Sequence, residues 1–341
     1  MRNIFAVIRA NAWWEYKIPP MLAVVYMVMI QSQIPFFKVL QLMSIPAIAV
    51  VLGAIYVSLL NDATDVSEDL KAGKKNGMIG YTAIQRIGIV SFPVILGFCI
   101  VAMSGSLFSW QNLFYLAAHI SFTLYSLPPF RLKKRGVAGL IAEALGSEML
   151  PVLFLVSCFY RDAKLEIQPL LFVFLGTWFF CFGLRGILWH QLDDSENDKV
   201  SGLQTVVQQI SKPRLSRIGI CIVTIEVAAF LAYVICNQLF LVIPGLIFYL
   251  IYIQLLAKKN GVEQTIIRPR IKPYRIFLFD YYRIFFPLFL LVAGMLNGLV
   301  NVFGLLFHLF LFQSTITSIF KEVRQLWRAV LSDILLQVKD R

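Results

Sequence analysis

Eight of the chain's 19 acidic residues fall in two short windows, and each window sets carboxylates at helical spacing. The first reads Asn61-Asp62-Ala63-Thr64-Asp65-Val66-Ser67-Glu68-Asp69. On a helix, Asp62, Asp65 and Asp69 stand at i, i+3 and i+7 and share one face. The second reads Gln191-Leu192-Asp193-Asp194-Ser195-Glu196-Asn197-Asp198, in which Asp194 and Asp198 are i, i+4 neighbours. Like charges on one face repel, and a carboxylate carried towards a bilayer centre costs on the order of a few kcal/mol. Such clusters persist when cations neutralise them. Hard oxygen donors suit Mg²⁺, which keeps several waters and joins a few carboxylates to a substrate's phosphates. Together with nearby Lys and Arg, the two faces describe a cradle for a diphosphate, in which the metal stabilises the leaving group as its C–O bond breaks. Asp65 and Asp194 stand at its centre. Taken singly, either window is equally well a solvated helix end.

The pair is harder to dismiss. A shift of 129 positions (194 − 65) lays Asp65 on Asp194, Asp69 on Asp198, Gly73 on Gly202 and Asp62 on Gln191. A matched carboxylate face in each half suggests an internal repeat whose halves face one another across a central cavity. Between the windows lies Tyr125-Ser126-Leu127-Pro128-Pro129-Phe130-Arg131-Leu132-Lys133-Lys134-Arg135-Gly136, a Pro-Pro break followed by a basic run. Arg131, Lys133 and Lys134 read either as a membrane anchor or as ligands of the diphosphate. Lys71, Lys74 and Lys75 carry the same two readings. Arg185, His190 and Gln191 lead into the second window and are candidates to orient an acceptor. Arg185 serves equally as the partner of a glutamate such as Glu143. His119 and His308 read as packed or interfacial residues.

The elements that position these groups follow from composition. With 59% hydrophobic and 15% charged residues and a mean hydropathy of +0.75, the chain departs from soluble proteins in both respects. That excludes a soluble enzyme, a disordered regulator and a secreted disulfide scaffold. The net charge of +12 sits in short runs between apolar stretches, the pattern of membrane loops and not of a nucleic-acid-binding surface. The five cysteines are far apart in apolar segments and read as inert core thiols.

A transmembrane helix needs about 20 mostly apolar residues. Spans are predicted near 18–37, 39–60, 86–105, 108–127, 137–160, 168–190, 216–236 and 238–257. The stretch 277–312 adds one span, or two short ones broken near Asn297-Gly298, which makes nine helices or ten. Residues 1–17, with Trp13, Trp14 and Lys17, read as an interfacial amphipathic helix. The loops 61–85, 128–136, 191–217 and 258–276 hold the basic residues and are predicted to face the cytoplasm with the N-terminus. Residues 313–341 form a basic amphipathic tail, with Lys321, Arg324, Arg328, Lys339 and Arg341, that follows a membrane domain over 1–312. Nine spans would put this tail outside, while its charges favour the inside.

The motifs resemble those of the UbiA superfamily of intramembrane prenyltransferases. Asn61-Asp62-xx-Asp65-xxx-Asp69 is similar to the first Asp-rich motif, NDxxDxxxD, and Asp194-xxx-Asp198 to the second, DxxxD, followed by Gly202 and Thr205. The Tyr125–Gly136 segment resembles the YSxPPxRLK loop, and the likeness extends over roughly residues 1–312. It implies an all-α bundle of nine transmembrane helices around a cavity that opens sideways to lipid. Asn61, Asp62, Asp65, Asp69, Asp194 and Asp198 would bind Mg²⁺ and an isoprenyl diphosphate at the cytoplasmic mouth, in the plasma membrane of a prokaryote. An allylic cation would then be captured by a lipophilic or aromatic acceptor. A terpene cyclase of the same superfamily would use the same carboxylates without an external acceptor. A secondary transporter also suits repeats and membrane charge, but its charges belong in broken helices at mid-depth.

Overall fold

The computed structural model describes residues 8–103, 105, 109–196, 205–266, 273–296, 298 and 302–339. The helices, in chain order, are α1 (Ala10–Gln31), α2 (Phe36–Lys71), α3 (Ala83–Met103), α4 (Trp110–Ser126), α5 (Val137–Ala144), α6 (Leu150–Asp162), α7 (Pro169–Asp193), α8 (Lys212–Cys236), α9 (Val242–Asn260), α10 (Phe286–Leu296), α11 (Val302–Leu311) and α12 (Gln313–Lys339). A two-stranded parallel ladder, β1 (Glu263–Thr265) and β2 (Tyr274–Ile276), lies between α9 and α10. Among the described residues six helices are long and apolar enough to cross a membrane, or seven if the bent pair α11–α12 counts as one. The six are α2, α3, α5–α6 taken together, α7, α8 and α9. Apolar side chains such as Ile84, Ile87, Phe92 and Ile95 on α3 stay exposed, as a lipid-facing surface requires.

The chain divides into two compact units. The first comprises residues 1–14 and 37–237. Its densest seam joins α7 to α8, where Trp178 packs on Phe230 and Tyr233. A π-helical turn, Leu145–Met149, joins α5 to α6 as one continuous apolar rod. α5 lies close against α7 because Gly183 offers no side chain there: a Cβ would sit 2.9 Å from the Ala144 Cα.

The second unit comprises residues 15–36 and 238–341. Tyr26 of α1 hydrogen-bonds His308 of α11 at 3.2 Å, and the His308 ring is fully buried, a packed residue as expected. The long apolar stretch 277–312 is interrupted: helix ends at Leu296 and resumes at Val302, with Gly298 at φ +71° between them. Asn297 lies outside the described residues.

Two expectations change. Trp13, Trp14 and Lys17 do not form a separate interfacial helix over 1–17, since α1 runs unbroken from Ala10 through Pro19 and Pro20 to Gln31. Burial of Met21–Ile30 holds that helix together across both prolines. The tail also changes sides relative to the nine-span count. Glu15, near the start of α1, accepts hydrogen bonds from the backbone N–H groups of Ser314 (3.2 Å) and Thr315 (2.6 Å) at the start of α12. The tail and the beginning of α1 therefore share one end of this unit.

Candidate diphosphate and metal site

The first acidic window lies in the last three turns of α2, a 36-residue helix with no Gly or Pro after Gly53. It stops at Gly73, whose φ of +66° is the left-handed conformation that glycine adopts at low cost. There the Lys74 N–H closes on the Asp69 carbonyl at 2.8 Å and turns the chain back along the helix. This return brings in Asn76, whose Nδ2 donates to the Asp69 carboxylate (2.7 Å) and to the Asp62 carbonyl (2.8 Å). The Gly77 N–H donates to Asp62 Oδ2 at 3.0 Å, and Arg9 pairs with the other oxygen at 3.3 Å. Asp62 is thus buried and satisfied on both oxygens. Asn61 accepts from the Ser126 hydroxyl at 2.6 Å, which ties α2 to the end of α4.

The basic run supplies the opposite wall. Arg131, in the left-handed region at φ +40°, leads into a short 3₁₀ turn over Leu132–Lys134. That turn lies directly on α5, at a spot only glycine permits: a Cβ on Gly139 would be 2.6 Å from the Leu132 carbonyl oxygen. From there Arg131 Nη2 donates to Asp65 and to Glu68, both at 3.0 Å. Lys133 donates to Asp65, and Lys134 to Glu68 at 2.6 Å. The Lys133 side chain is only 9% exposed. Burial pulls its pKa below the ordinary lysine value, and the Asp65 carboxylate beside it works the other way.

The two windows meet. Asp194, the residue that follows α7, accepts from Lys74 Nζ at 3.1 Å, so the turn after α2 carries its cation onto the second acidic window. The match between the windows is one of sequence and not of helix depth. Asp65 lies inside α2, whereas Asp194 caps the end of α7. Asp198 and Gly202 lie outside the described residues. Lys71 is exposed at the end of α2 and makes no ion pair among the described residues. Lys74, and not Lys71, reaches across.

Of the acceptor candidates, Arg185 is taken up structurally. Its guanidinium makes a two-pronged pair with Glu226 of α8, at 2.9 and 2.6 Å, with both side chains almost wholly buried. Glu226 is thus a glutamate partner of Arg185, from the helix packed against it. His190 is exposed, and Gln191 is buried with its Oε1 lacking a hydrogen-bond partner. His119 is packed, as expected: it stacks on Tyr56 at 5.1 Å and bonds the Tyr115 carbonyl through Nδ1.

Arg9, Glu68, Lys74 and Asn76 complete the cluster. Glu68 stands three residues after Asp65, a spacing that signals a shared face. Nothing near Arg9 or Asn76 in the sequence marks them, because each is brought in by a fold-back of the chain. Asp62, Asp65, Glu68 and Asp194 are each met by a cation, and Asp69 by an amide.

Among the described residues no three His, Cys, Asp or Glu side chains converge on one point that could hold a metal. Carboxylate and amide oxygens are the hard donors that suit Mg²⁺. This ion is commonly held by one or two carboxylates with substrate phosphates and water, and it needs no closed protein cage. The oxygens of Asn61, Asp62, Asp65 and Asp69 on α2 and of Asp194 opposite are donors of that kind.

Many long apolar helices, with an acidic and basic cluster at the ends of two of them, define a multi-pass membrane protein with a charged site. Residues 18–278 match the UbiA prenyltransferase family, and the chain belongs to it. Among solved structures, a UbiA homolog from Archaeoglobus fulgidus bound to GPP and Mg²⁺ aligns with a TM-score of 0.58 at 16% identity, over 86% of this chain and 99% of the homolog. The same homolog bound to DMAPP and Mg²⁺ gives a TM-score of 0.55 at 16% identity, over 87% and 99%. In a Cd²⁺-bound form it gives 0.56 at 16% identity, over 86% and 98%. No curated protein matches the sequence.

Proposed function

We propose that this chain is a Mg²⁺-dependent prenyltransferase that ionises an isoprenyl diphosphate and transfers the prenyl group to a lipophilic or aromatic acceptor. The observation that carries the reading is the 3.1 Å Lys74–Asp194 contact, which joins the two acidic windows beside the Arg131–Lys134 turn. The homolog's ligands, GPP and DMAPP with Mg²⁺, agree with this substrate class.

Asp65 and Asp194, with Asn61, Asp62, Asp69 and Asp198, hold the metal. Bound there, Mg²⁺ supplies Lewis-acid stabilisation of the departing diphosphate. Arg131, Lys133 and Lys74 already lie on the carboxylates. They turn to the diphosphate oxygens as substrate enters, binding it by charge-assisted hydrogen bonds. Lys134 and Lys71 flank the entrance. Loss of the diphosphate leaves an allylic cation, which the acceptor's nucleophilic atom captures. His190 and Gln191, which lead into the second window, line the acceptor side. In this reading α1, α4, the Tyr281–Leu296 helix and α11 also cross the membrane and bring the spans to ten, the even count that returns the tail to the side where α1 begins. The acidic windows then lie at the cytoplasmic face of a prokaryotic plasma membrane.

The experiment incubates purified protein in detergent with Mg²⁺ and geranyl, farnesyl or geranylgeranyl diphosphate, without an acceptor, and follows the organic extract by mass spectrometry. Mg²⁺-dependent binding of the diphosphate without product supports the transferase. A cyclic hydrocarbon or terpene alcohol, lost in EDTA and in Asp65→Ala, would make the protein a cyclase instead. No binding at any chain length overturns both and returns a transporter to contention.

A further inference from the structure

The charged end of the second unit is organised around α12, which the proposed reaction does not use. α12 does not continue the apolar α11 but bends from it by 98°. Where α11 runs along the bilayer normal, α12 lies close to the membrane plane, over a length of about 40 Å. Its start is fixed by the Glu15 carboxylate on the N–H groups of Ser314 and Thr315. Its middle is fixed by Glu322, which turns inward to accept from Arg275 (3.0 and 3.1 Å) and from the Tyr252 hydroxyl. A seam of Ile316, Ile319 and Leu326, each no more than 6% exposed, packs it on the rest of the unit.

Four strips follow one another around this helix. Next to the packed seam is an apolar strip of Phe320 (61% exposed), Trp327 (62%) and Leu331 (41%). These stand at i, i+7 and i+11, within an arc of about 40°. Beyond it runs a basic row of Lys321, Arg324 and Arg328, at i, i+3 and i+7, all exposed. Opposite the apolar strip stand the exposed uncharged residues Ser318, Gln325 and Ser332. Glu322 is the one acid among the described side chains of α12, and its inward pairing leaves the outer surface with cations alone. A helix in the headgroup plane needs that order: protein on one flank, acyl chains below, lipid phosphates on the other flank and water above.

We propose that α12 is an interfacial anchor that binds an anionic bilayer surface. Phe320, Trp327 and Leu331 enter the boundary between headgroups and acyl chains, and Lys321, Arg324 and Arg328 pair with the phosphates of acidic lipids. The occupant is lipid because the bend turns the helix out of an apolar segment into the membrane plane. Lys321, Arg324 and Arg328 make no ion pair among the described residues, and beside the apolar strip they complement an anionic headgroup layer.

The test reconstitutes the full chain in nanodiscs of phosphatidylcholine, with and without phosphatidylglycerol. Fluorescence of the wild type minus that of Trp327→Phe isolates Trp327 from the other tryptophans. The expected result is quenching of Trp327 by brominated lipid and shielding from aqueous iodide. Iodide quenching rises several-fold when phosphatidylglycerol is omitted or when Lys321, Arg324 and Arg328 are all changed to Gln. The lipid comparison uses the unaltered charges, so it stands even where the triple variant fails to fold. Equal iodide access to Trp327 in both lipids overturns the proposal. So does lipid-independent shielding accompanied by crosslinking of two copies through position 327, which would make the strip a protein contact.

Discussion

Asp65 receives two cations from one short turn, Arg131 and Lys133, and because Lys133 is buried, loss of Asp65 strands a charge. Asp65→Asn should abolish Mg²⁺-dependent pyrophosphate release while the protein still elutes as folded. Lys133→Gln removes one charge-assisted contact, worth about 1.5–3 kcal/mol, and should raise the KM for the diphosphate on the order of tenfold to a hundredfold. Release of pyrophosphate at varied diphosphate concentration checks both. Arg185 lends itself to a sharper choice. Buried against Glu226, it should behave as a structural pair: Glu226→Gln leaves an uncompensated buried cation and costs about 3–5 kcal/mol. The double variant Arg185→Met with Glu226→Leu should regain most of that loss in a thermal melt. A structural pair leaves acceptor affinity unchanged in that double variant, whereas an Arg185 that binds the acceptor makes the same stable variant lose acceptor affinity.

At the scale of elements, Gly139 separates helix stability from site geometry. An alanine in a helix is ordinarily favoured over glycine by about 1 kcal/mol. Here its Cβ would press on the Leu132 carbonyl and push the Arg131–Lys134 turn away from α2. Gly139→Ala should therefore leave the melting temperature nearly unchanged and weaken diphosphate binding several-fold, as measured by titration calorimetry. Most elements were legible beforehand, because runs of about 20 apolar residues have few alternatives. Predicted spans at 39–60, 137–160 and 216–236 correspond to α2, α5–α6 and α8. The span predicted to end at 60, with a loop over 61–85, instead continues as helix through the first acidic window to Lys71, as the i, i+3, i+7 spacing of its carboxylates allows. What the sequence hid were contacts made by reversals of the chain. Gly73 folds Asn76 back onto Asp62 and Asp69, and Glu15 caps a helix 299 residues away. Neither contact leaves a local periodicity. The expectation for residues 1–17 failed for a related reason: Pro19 and Pro20 look like a break, yet the buried run after them holds one helix.

For the molecule as a whole, the decisive feature is that its acidic cluster carries its own counter-ions. Arg9, Lys74, Arg131, Lys133 and Lys134 occupy the carboxylates before any ligand arrives. Mg²⁺ alone would have to displace these cations and leave them facing one another, with no anion to receive them. The diphosphate alone would meet cations already engaged, beside unscreened carboxylates. Brought together, the two ligands satisfy both sets, since metal oxygen bonds replace the ammonium and guanidinium groups and the phosphates take those groups up. The ligands should therefore bind as a coupled pair. A ligand present at a hundred times its Kd stabilises the folded state by about 2.7 kcal/mol. In a chain of this size, with an unfolding entropy of about 2.1 cal/mol/K per residue, that corresponds to a shift of about 4 °C. In a thermal melt, Mg²⁺ alone or pyrophosphate alone should move the midpoint by a small fraction of that shift, and the two together by all of it. Asp194→Asn frees Lys74 from its partner, so pyrophosphate alone should bind more tightly in that variant while the gain from added Mg²⁺ falls. A full shift from Mg²⁺ alone in the wild type would mean that the carboxylates stand open to metal, and the counter-ion arrangement would then have no part in substrate binding.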